Sequence, residues 1–355
     1  MKTGLPLFLG IALTAALCAA DDKPAPPPAT KPGATATAPA TPAKPAAPAK
    51  PAAVPAPAAN PAAKPVTPPP AAKTPAPAAP AKPVPAKPAP MAAKPAPPPA
   101  PKPVPIFKDK NLEAAVRKQV FAKRDGNEPI VAADVETVAV VEGRGLGIKD
   151  LSGLEKCTQL ASLTLPKNQI TDISAIKGLE RLQFVDLSDN QVQDIAALGT
   201  LKSLQYVELT NNKVVSLAPL GGVTTLNSLY LTHNQIKDAS PVFKLPKLWT
   251  LYLEGNQIAS ITGIGQLKWL SMLSLKGNQV ADITPLEPLG ELQFLFLDGN
   301  KVSDVSPLYR MMKKDFAGSK EWAPYCNIYL DGNPLTEPSK KQVEELKKLG
   351  ARIQP

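Results

Sequence analysis

Histidine and cysteine are scarce in this chain of 355 residues, and each shortage excludes a class of site. One histidine and three cysteines cannot form a histidine-based metal cluster or a disulfide framework. Beyond the first twenty residues, no segment approaches the roughly 20 apolar residues that a membrane helix needs. We therefore expect no metal, no cofactor and no transmembrane segment. Cys157 and Cys326 lie far apart in the chain, and we expect both to be free, buried thiols.

The first twenty residues, MKTGLPLFLGIALTAALCAA, have the pattern of a secretory signal peptide. A lysine near the start is followed by an apolar run that ends at Leu17, and small residues follow up to Ala20. We predict a signal peptide over residues 1–20 and hence an exported protein, either periplasmic, held in the cell envelope or secreted. Cys18 leaves lipidation as an alternative, although lipoprotein signals normally carry a small residue where Leu17 stands.

Residues 21–105 consist almost entirely of alanine, proline and lysine. Such a composition cannot form a core and favours extended polyproline II, so we predict a disordered linker. The segment from residue 23 to 105 has no acidic residue, and its lysines account for the formal net charge of +10. The lysines have two interpretations, a solvated spacer or weak contact with anionic envelope polymers. Because we expect an exported protein, we predict no nucleic-acid partner.

A repeat of 22 residues runs through the rest of the chain. Each copy follows the frame L-x-x-L-x-L-x-x-N-x-I/V, as in LNSLYLTHNQI from Leu226. The alternation in L-x-L predicts a short strand with one buried face. The asparagine amide can both donate and accept hydrogen bonds, so we expect stacked copies to bond the turns of successive repeats. We call this row the asparagine ladder: Asn168, Asn190, Asn212, Asn234, Asn256, Asn278, Asn300 and Asn333.

In their length and in endings such as N-Q-I-x-D-I, these repeats resemble the leucine-rich repeats of bacterial internalins. The resemblance covers residues 106–355. It implies an α/β fold, a right-handed solenoid with a parallel concave β-sheet and helical caps at both ends. It also implies adhesion or protein recognition, although a fold alone does not define a function. Similar arrays occur in phosphatase regulators, which leaves a regulatory partner of an enzyme as an alternative.

We predict three segments within the array. Residues 106–150 form an N-terminal helical cap and a degenerate first repeat, in which Leu146 replaces the ladder asparagine. Residues 151–335 form the leucine-rich repeats. Residues 336–355 form a C-terminal capping helix.

The C-terminal end departs from the period. The last repeat has eleven extra residues between Leu308 and Cys326, which we interpret either as a recognition loop or as a modified terminal repeat that covers the open end. For the last helix, Ser339 and Gln342 predict a capping box. Its predicted apolar stripe consists of Val343, Leu346 and Leu349.

Two recurrent polar positions suggest catalysis or metal binding at first sight. His233 precedes a ladder asparagine at a position where other repeats have Lys, Asp, Asn or Gly. We interpret this position as a tolerant surface turn, and we predict no catalytic residue and no enzyme. A row of aspartates is interrupted by Ser216 and Ser260, and because serine and aspartate both cap backbone amides, we favour capping over calcium binding. The row consists of Asp172, Asp194, Asp238, Asp282 and Asp304.

Aromatic residues concentrate on the exposed face of the predicted sheet, at positions six and four before the ladder asparagines. An acidic border accompanies them. We predict that this face binds a protein or peptide with apolar groups and some positive charge. Alternatively, the aromatic residues stabilise the sheet through cross-strand pairs. The predicted partner-binding residues are Phe184, Asp186, Tyr206, Glu208, Tyr230, Tyr252, Glu254, Phe294, Phe296 and Tyr329.

Together these patterns predict a non-enzymatic protein-binding module of the bacterial cell envelope or exterior, with a partner on the concave aromatic face. Two alternatives remain open: a structural envelope protein that acts through the basic residues 21–105, and a regulatory partner of an enzyme.

Overall fold

The computed structural model of the protein describes residues 104–354, which form a solenoid of stacked coils. The predicted signal peptide and nearly all of the predicted linker lie outside the described residues. Ten parallel strands form one sheet in chain order. The strands are β1 (Val140–Glu142), β2 (Ser162–Thr164), β3 (Phe184–Asp186), β4 (Tyr206–Glu208), β5 (Ser228–Tyr230), β6 (Thr250–Tyr252), β7 (Met272–Ser274), β8 (Phe294–Phe296), β9 (Asn327–Tyr329) and β10 (Arg352–Gln354).

The return side of the coils consists of short 3₁₀ turns, and α-helices occur towards the two ends. The helices are α1 (Lys110–Arg117), α2 (Ala132–Val135), α3 (Ser306–Ala317) and α4 (Glu337–Lys348). The 3₁₀ turns are Phe121–Lys123, Leu154–Lys156, Ser174–Ile176, Ala196–Thr200, Ala218–Gly222, Ser240–Lys244, Ile264–Gln266 and Thr284–Leu286. Within residues 104–354, no helix is long and apolar enough to cross a membrane.

The 22-residue period sets the register of the sheet. From β2 to β8, each residue pairs with the residue 22 positions later, so that Leu229 lies opposite Leu251 and Tyr230 opposite Tyr252. The central residue of each strand points into the core and is buried, whereas the two flanking residues point outwards. Every coil therefore presents equivalent positions to solvent at the same height, which brings side chains of different repeats into rows.

Buried asparagine amides connect the coils. The Asn234 Nδ2 donates to the carbonyl oxygens of Leu209 (2.9 Å) and Leu231 (3.0 Å), and its Oδ1 accepts from the Val214 amide (2.9 Å). Leu209 and Val214 belong to the preceding coil, so one side chain satisfies backbone groups of two coils. The same contacts recur along the ladder from Asn168 to Asn333.

The position before each ladder asparagine is not a tolerant turn, and our interpretation of it was wrong in that respect. Lys167, Asp189, Asn211 and His233 have φ between 53° and 58°, and glycines with positive φ fill this position from Gly255 onwards. A left-handed backbone strains residues that carry a Cβ and excludes β-branched residues above all. The position therefore selects for backbone conformation, which explains why glycine, asparagine and aspartate fill all of its copies except Lys167 and His233.

The aspartate row caps the return turns, as predicted. The Asp172 Oδ1 accepts from the Ser174 amide (2.8 Å), and Asp238 and Asp282 make the equivalent bond two residues ahead at the same distance. Ser216 replaces the carboxylate with its hydroxyl, which accepts from the Ala218 amide at 3.3 Å. Each of these side chains thus satisfies an amide at the start of a 3₁₀ turn.

Both cysteines in the described residues are free and buried, as predicted. Burial raises the pKa of the Cys157 thiol to about 12, with a smaller contribution from Glu155, and burial raises the pKa of Cys326 to about 12. Because the thiolate is the reactive form, neither cysteine is poised for catalysis or metal binding at neutral pH.

The N-terminal end of the core is covered by α1 and by the first coil. Asp109 caps α1 by accepting from the amides of Asn111 (2.8 Å) and Leu112 (3.2 Å), and the helix buries Leu112 and Val116. The first coil contributes β1 to the sheet although it has no ladder asparagine. Leu146, which occupies the corresponding position, is 36% exposed.

At the C-terminal end, the inserted residues form most of α3, which packs against α4. The predicted capping box was wrong, because α4 begins three residues earlier than we expected and Thr336 is its N-cap. Ser339 is buried within the helix, where its hydroxyl donates to the Ser303 carbonyl (2.9 Å) and accepts from the Val305 amide (3.1 Å). Ser339 therefore fastens α4 to the last coil.

Two further details of the C-terminal segment differ from our expectation. Leu349, predicted to lie in the apolar stripe of α4, is 48% exposed, because the helix ends at Lys348 and Gly350 turns the chain with φ 101°. The chain then returns to the sheet as β10, which pairs with β9. Residues 336–354 thus contain a helix followed by a strand.

We predict that Asn234→Ala lowers the free energy of unfolding by about 2 kcal/mol, because it leaves the buried Val214 amide without a partner and removes one of the two asparagine donors at the Leu209 and Leu231 carbonyls. Urea denaturation measures the change. The neighbouring exposed residue provides the control, and Gln235→Ala should change the free energy by less than about 0.5 kcal/mol. Equal losses in the two variants would contradict the role of the ladder.

The backbone at His233 generates a second prediction. His233→Val should lower the free energy of unfolding by about 1–2 kcal/mol, because a β-branched residue is strained at φ 53°. His233→Gly should preserve or raise stability, since glycine adopts this conformation without a Cβ clash. Melting temperatures of the two variants test the prediction, and a stable valine variant would refute it.

Candidate functional site

A continuous series of aromatic rings crosses the concave face from β3 to β9. The rings of Phe184 and Tyr206 stack with centroids 4.2 Å apart, and those of Tyr230 and Tyr252 stack at 5.2 Å. Parallel strands lie about 4.8 Å apart, so rings in one row are brought to stacking distance by the backbone itself. We call this series the aromatic band: Phe184, Tyr206, Tyr230, Tyr252, Phe294, Phe296 and Tyr329.

The band changes row between β4 and β5 without a break. Tyr206 occupies the first outward position of its strand and Tyr230 the second, yet their centroids are only 5.3 Å apart, with the rings tilted by 41°. The band therefore runs diagonally across the sheet. Its second half follows the row of Tyr230, which continues to Tyr329 at the C-terminal end.

A small residue at β7 allows the band to continue across that strand. Ser274 lies between Tyr252 and Phe296 in the row, and their ring centroids are 6.5 Å apart across it. The Ser274 side chain is buried, and its hydroxyl donates to Glu254 Oε1 at 2.7 Å. The Tyr252 hydroxyl lies 4.0 Å from the Met272 sulfur, which fills the other outward position of β7.

All ten residues that we predicted as partner-binding lie on this surface. Nine are outward residues of β3–β6, β8 and β9. Glu254 lies two residues after the end of β6. Each is partly exposed. The aromatic side chains therefore contact one another across strands, as the alternative interpretation requires, and still present surface to solvent. One set of residues can serve both purposes, because stacking fixes the rings that a partner would contact.

Glu208 is the most perturbed acidic group of the surface. It lies in register between Asp186 on β3 and Tyr230 on β5. Burial raises its pKa to about 7, and the negative charge of Asp186 adds to the shift. Hydrogen bonds from Thr210, whose amide lies 2.9 Å from Glu208 Oε1, act in the opposite direction and are too weak to cancel it. The concave face thus holds a carboxylate that titrates near neutral pH.

The tyrosines beside Glu208 share its environment. Burial raises the pKa of Tyr206, Tyr230 and Tyr252, so their hydroxyls are neutral at physiological pH. Neutral phenol rings have an electron-rich face and a hydroxyl that can donate or accept. The surface accordingly offers flat apolar rings, neutral hydroxyls and carboxylates, a set suited to binding.

Exposed tryptophans outside the band were not among our predicted site residues. Trp249, immediately before β6, is 57% exposed, and Trp269, near the start of the next coil's strand, is 68% exposed. Both lie along the edge where the chain enters the strands. The sequence contained a signal for Trp249, because this tryptophan occupies a position that is polar in the three preceding repeats, at Gln183, Gln205 and Asn227.

The raised pKa of Glu208 predicts a dependence of stability on pH. A folded-state pKa of about 7, above the usual 4.5, means that the folded chain binds the proton more tightly than the unfolded chain. The free energy of unfolding should therefore decrease as pH rises from 4.5 to 7. Glu208→Gln removes this decrease, so the variant should be more stable than the parent at pH 8, by on the order of 1 kcal/mol, and should lose that advantage at pH 4.5.

Melting temperatures at the two pH values measure this difference, with Glu291→Gln as the control at an exposed glutamate off the concave face. A difference between Glu208→Gln and the parent that stays constant from pH 4.5 to pH 8 would contradict the burial of the carboxylate.

Comparisons with known proteins agree with the fold. A family model for leucine-rich repeats matches residues 180–222 and 224–269. A solved leucine-rich repeat protein of Leptospira interrogans is 26% identical with a TM-score of 0.56, and the match covers 65% of this chain and 58% of that one. Internalin C2 of Listeria monocytogenes is 28% identical with a TM-score of 0.49, and the match covers 70% of this chain and 92% of that one.

No curated protein matches the chain. The identification therefore depends on the repeats themselves. Their 22-residue frame, the buried asparagine contacts, the single parallel sheet and the family match agree with one another. The chain carries leucine-rich repeats, and their 22-residue frame is similar to that of the internalin repeats.

Proposed function

We propose that this protein is a non-enzymatic binding module of the bacterial cell envelope or exterior and that its concave face holds a protein partner. The observation that supports this most strongly is the aromatic band. Seven aromatic side chains on six strands form one series of ring contacts from β3 to β9, and all of them remain partly exposed. Large rings that are already held in place can bury apolar area in a complex at little cost in conformational entropy.

The rigidity of the scaffold favours the same function. Solenoids of this kind present an extended concave surface that does not need to fold on binding. The aromatic band is attached to strands whose register is held by buried amides, so its rings are preorganised. Preorganisation favours tight binding because less conformational freedom is lost when the complex forms.

The location follows from the predicted signal peptide, which would direct the chain out of the cytoplasm. In this proposal, residues 21–105 separate the solenoid from its point of attachment or release, and their lysines make weak contacts with anionic envelope polymers. The solenoid begins at residue 106 and carries the recognition. In a structural envelope protein, residues 21–105 would make the essential contact and the concave face would not be needed. In a regulator of an enzyme, the concave face would bind that enzyme.

A capture experiment tests the proposal. The full chain, a band variant and a control variant are used to capture proteins from envelope and secreted extracts. The band variant carries Tyr230→Ala, Tyr252→Ala and Phe296→Ala. The control carries Trp249→Ala, Trp269→Ala and Tyr325→Ala, which removes as many exposed aromatic side chains from positions outside the band.

We expect a partner that the parent and the control retain and that the band variant retains at least tenfold less, at equal thermal stability of all three. Equal capture by the band variant would contradict the concave site. Loss only in the control would place binding at the tryptophan edge, and capture that depends on residues 21–105 would favour the structural alternative.

A further inference from the structure

The outward positions of the concave face are acidic, although residues 106–355 hold nearly equal numbers of acidic and basic residues. The outward positions lie two, four and six residues before each ladder asparagine, in β2–β9 and the turns that follow these strands. Among them, Lys276 is the single basic residue. The charge is therefore concentrated on the same face as the aromatic band. The acidic residues at these positions are Asp186, Glu208, Glu254, Asp298 and Asp331.

None of these five carboxylates has a cationic partner in the described part of the chain. Seven ion pairs occur within residues 104–354, and all of them lie elsewhere, for example Lys202 with Glu180 and Lys123 with Asp134. The carboxylates of the concave face are therefore not neutralised by ion pairs within the described residues. An unpaired acidic surface attracts a partner of opposite charge and repels an acidic one.

Glu208 occupies the most confined place among these carboxylates. Tyr206 precedes it on β4, and Tyr230 lies opposite it on β5, with the two ring centroids 5.3 Å apart. On its other side lies Asp186, a second negative charge. Burial among rings removes water from the carboxylate, and the hydrogen bonds of Thr210 compensate only in part. A cation bound beside Glu208 would offset the free-energy cost of desolvating this carboxylate in the folded chain.

We propose that the concave face receives an extended basic segment of the partner protein and that one lysine or arginine side chain of that segment is held by Tyr206, Glu208 and Tyr230. This inference rests on the proposed function and specifies the chemistry of the partner. The carboxylate supplies a charge-assisted hydrogen bond, and the tyrosine rings attract the cation by their electron-rich faces. The aliphatic stem of lysine or arginine packs against the same rings.

The other parts of the face fit a longer segment. Glu254, Asp298 and Asp331 lie in one row after the strands, in which Lys276 stands between Glu254 and Asp298. The row runs beside the rings of Tyr252, Phe296 and Tyr329. Additional basic side chains would meet these carboxylates, while apolar side chains of the segment would cover the rings. A small cationic metabolite would use the Glu208 position alone and gain nothing from the rest of the band, so the geometry favours a polypeptide.

The experiment uses the full chain with ¹³C-labelled tyrosine rings and a synthetic peptide of alternating lysine and alanine as the probe. The chain has six tyrosines, of which Tyr309 and Tyr325 lie outside the band and serve as internal controls. We expect the peptide to shift the ring signals of Tyr206 and Tyr230 and to leave those two unchanged. The same peptide with acetylated lysines should bind at least tenfold more weakly, and added salt should weaken the binding of the charged peptide.

Matched variants assign the effect to one carboxylate. Glu208→Gln keeps the shape of the side chain and removes its charge, and it should weaken peptide binding about tenfold. Glu291→Gln makes the same chemical change off the concave face and should leave the affinity within twofold. The inference is overturned if the acetylated peptide binds equally well, if Glu208→Gln binds like the parent, or if millimolar peptide shifts neither tyrosine.

The partner obtained by capture separates this inference from the proposed function. If that partner is lost by the band variant and retained by Glu208→Gln, the concave face binds a protein and the cation site is wrong. If the lysine peptide binds at Glu208 while the band variant retains the captured partner, the cation site stands as a binding site and the proposed role of the band is wrong.

Discussion

The buried amide of each ladder asparagine bonds the backbone of two successive coils, and the concave face depends on this contact. A coil of this kind has turn amides and carbonyls that point inwards, where water cannot reach them. The Asn256 Nδ2 reaches the carbonyls of Leu231 and Leu253, one in each coil, and its Oδ1 accepts from the Ile236 amide. Because the same three bonds recur at every step, each coil stacks on the last in one register.

That register turns a one-dimensional repeat into a two-dimensional surface. Residues 22 apart in sequence become neighbours in space, so a substitution in one repeat is next to substitutions in the repeats before and after it. The aromatic band arises in this way from aromatic residues of six strands, with two from β8 and none from β7. Glu208 acquires its raised pKa by the same route, since burial between adjoining coils raises it and the charge of Asp186 on the preceding strand adds to the shift. The groups that we propose for recognition are therefore distributed over many repeats and held together by the core contacts of the asparagines.

Periodic features could be predicted from the sequence, because each copy of the repeat supplies independent evidence for the same contact. The strands, the inward leucines and the capping by Asp172 belong to this group. Features that occur once could not be predicted in the same way. Thr336 rather than Ser339 caps α4, and β10 follows that helix, because the last turn is decided by how α4 docks on the final coil.

The left-handed position before the asparagine had a visible signal, since glycine, asparagine and aspartate dominate it, but His233 concealed the pattern. For the candidate site, the sequence predicted which residues share a row on the concave face. It did not predict which of their side chains contact one another. The diagonal step from Tyr206 to Tyr230, the closure over Ser274 and the burial of Glu208 depend on side-chain packing between coils.

Site-specific photo-crosslinking in cells that produce the protein tests most directly whether the concave face is where a partner binds. A photoreactive amino acid is introduced in place of Tyr252, on the aromatic band, and separately in place of Trp249, on the edge of the same coil. The two positions are close together in the chain and lie on different surfaces of the solenoid. If the concave face binds the partner, one protein should be crosslinked from position 252 and not from position 249. Crosslinking of that protein from position 249 alone would show that the aromatic band only stabilises the sheet.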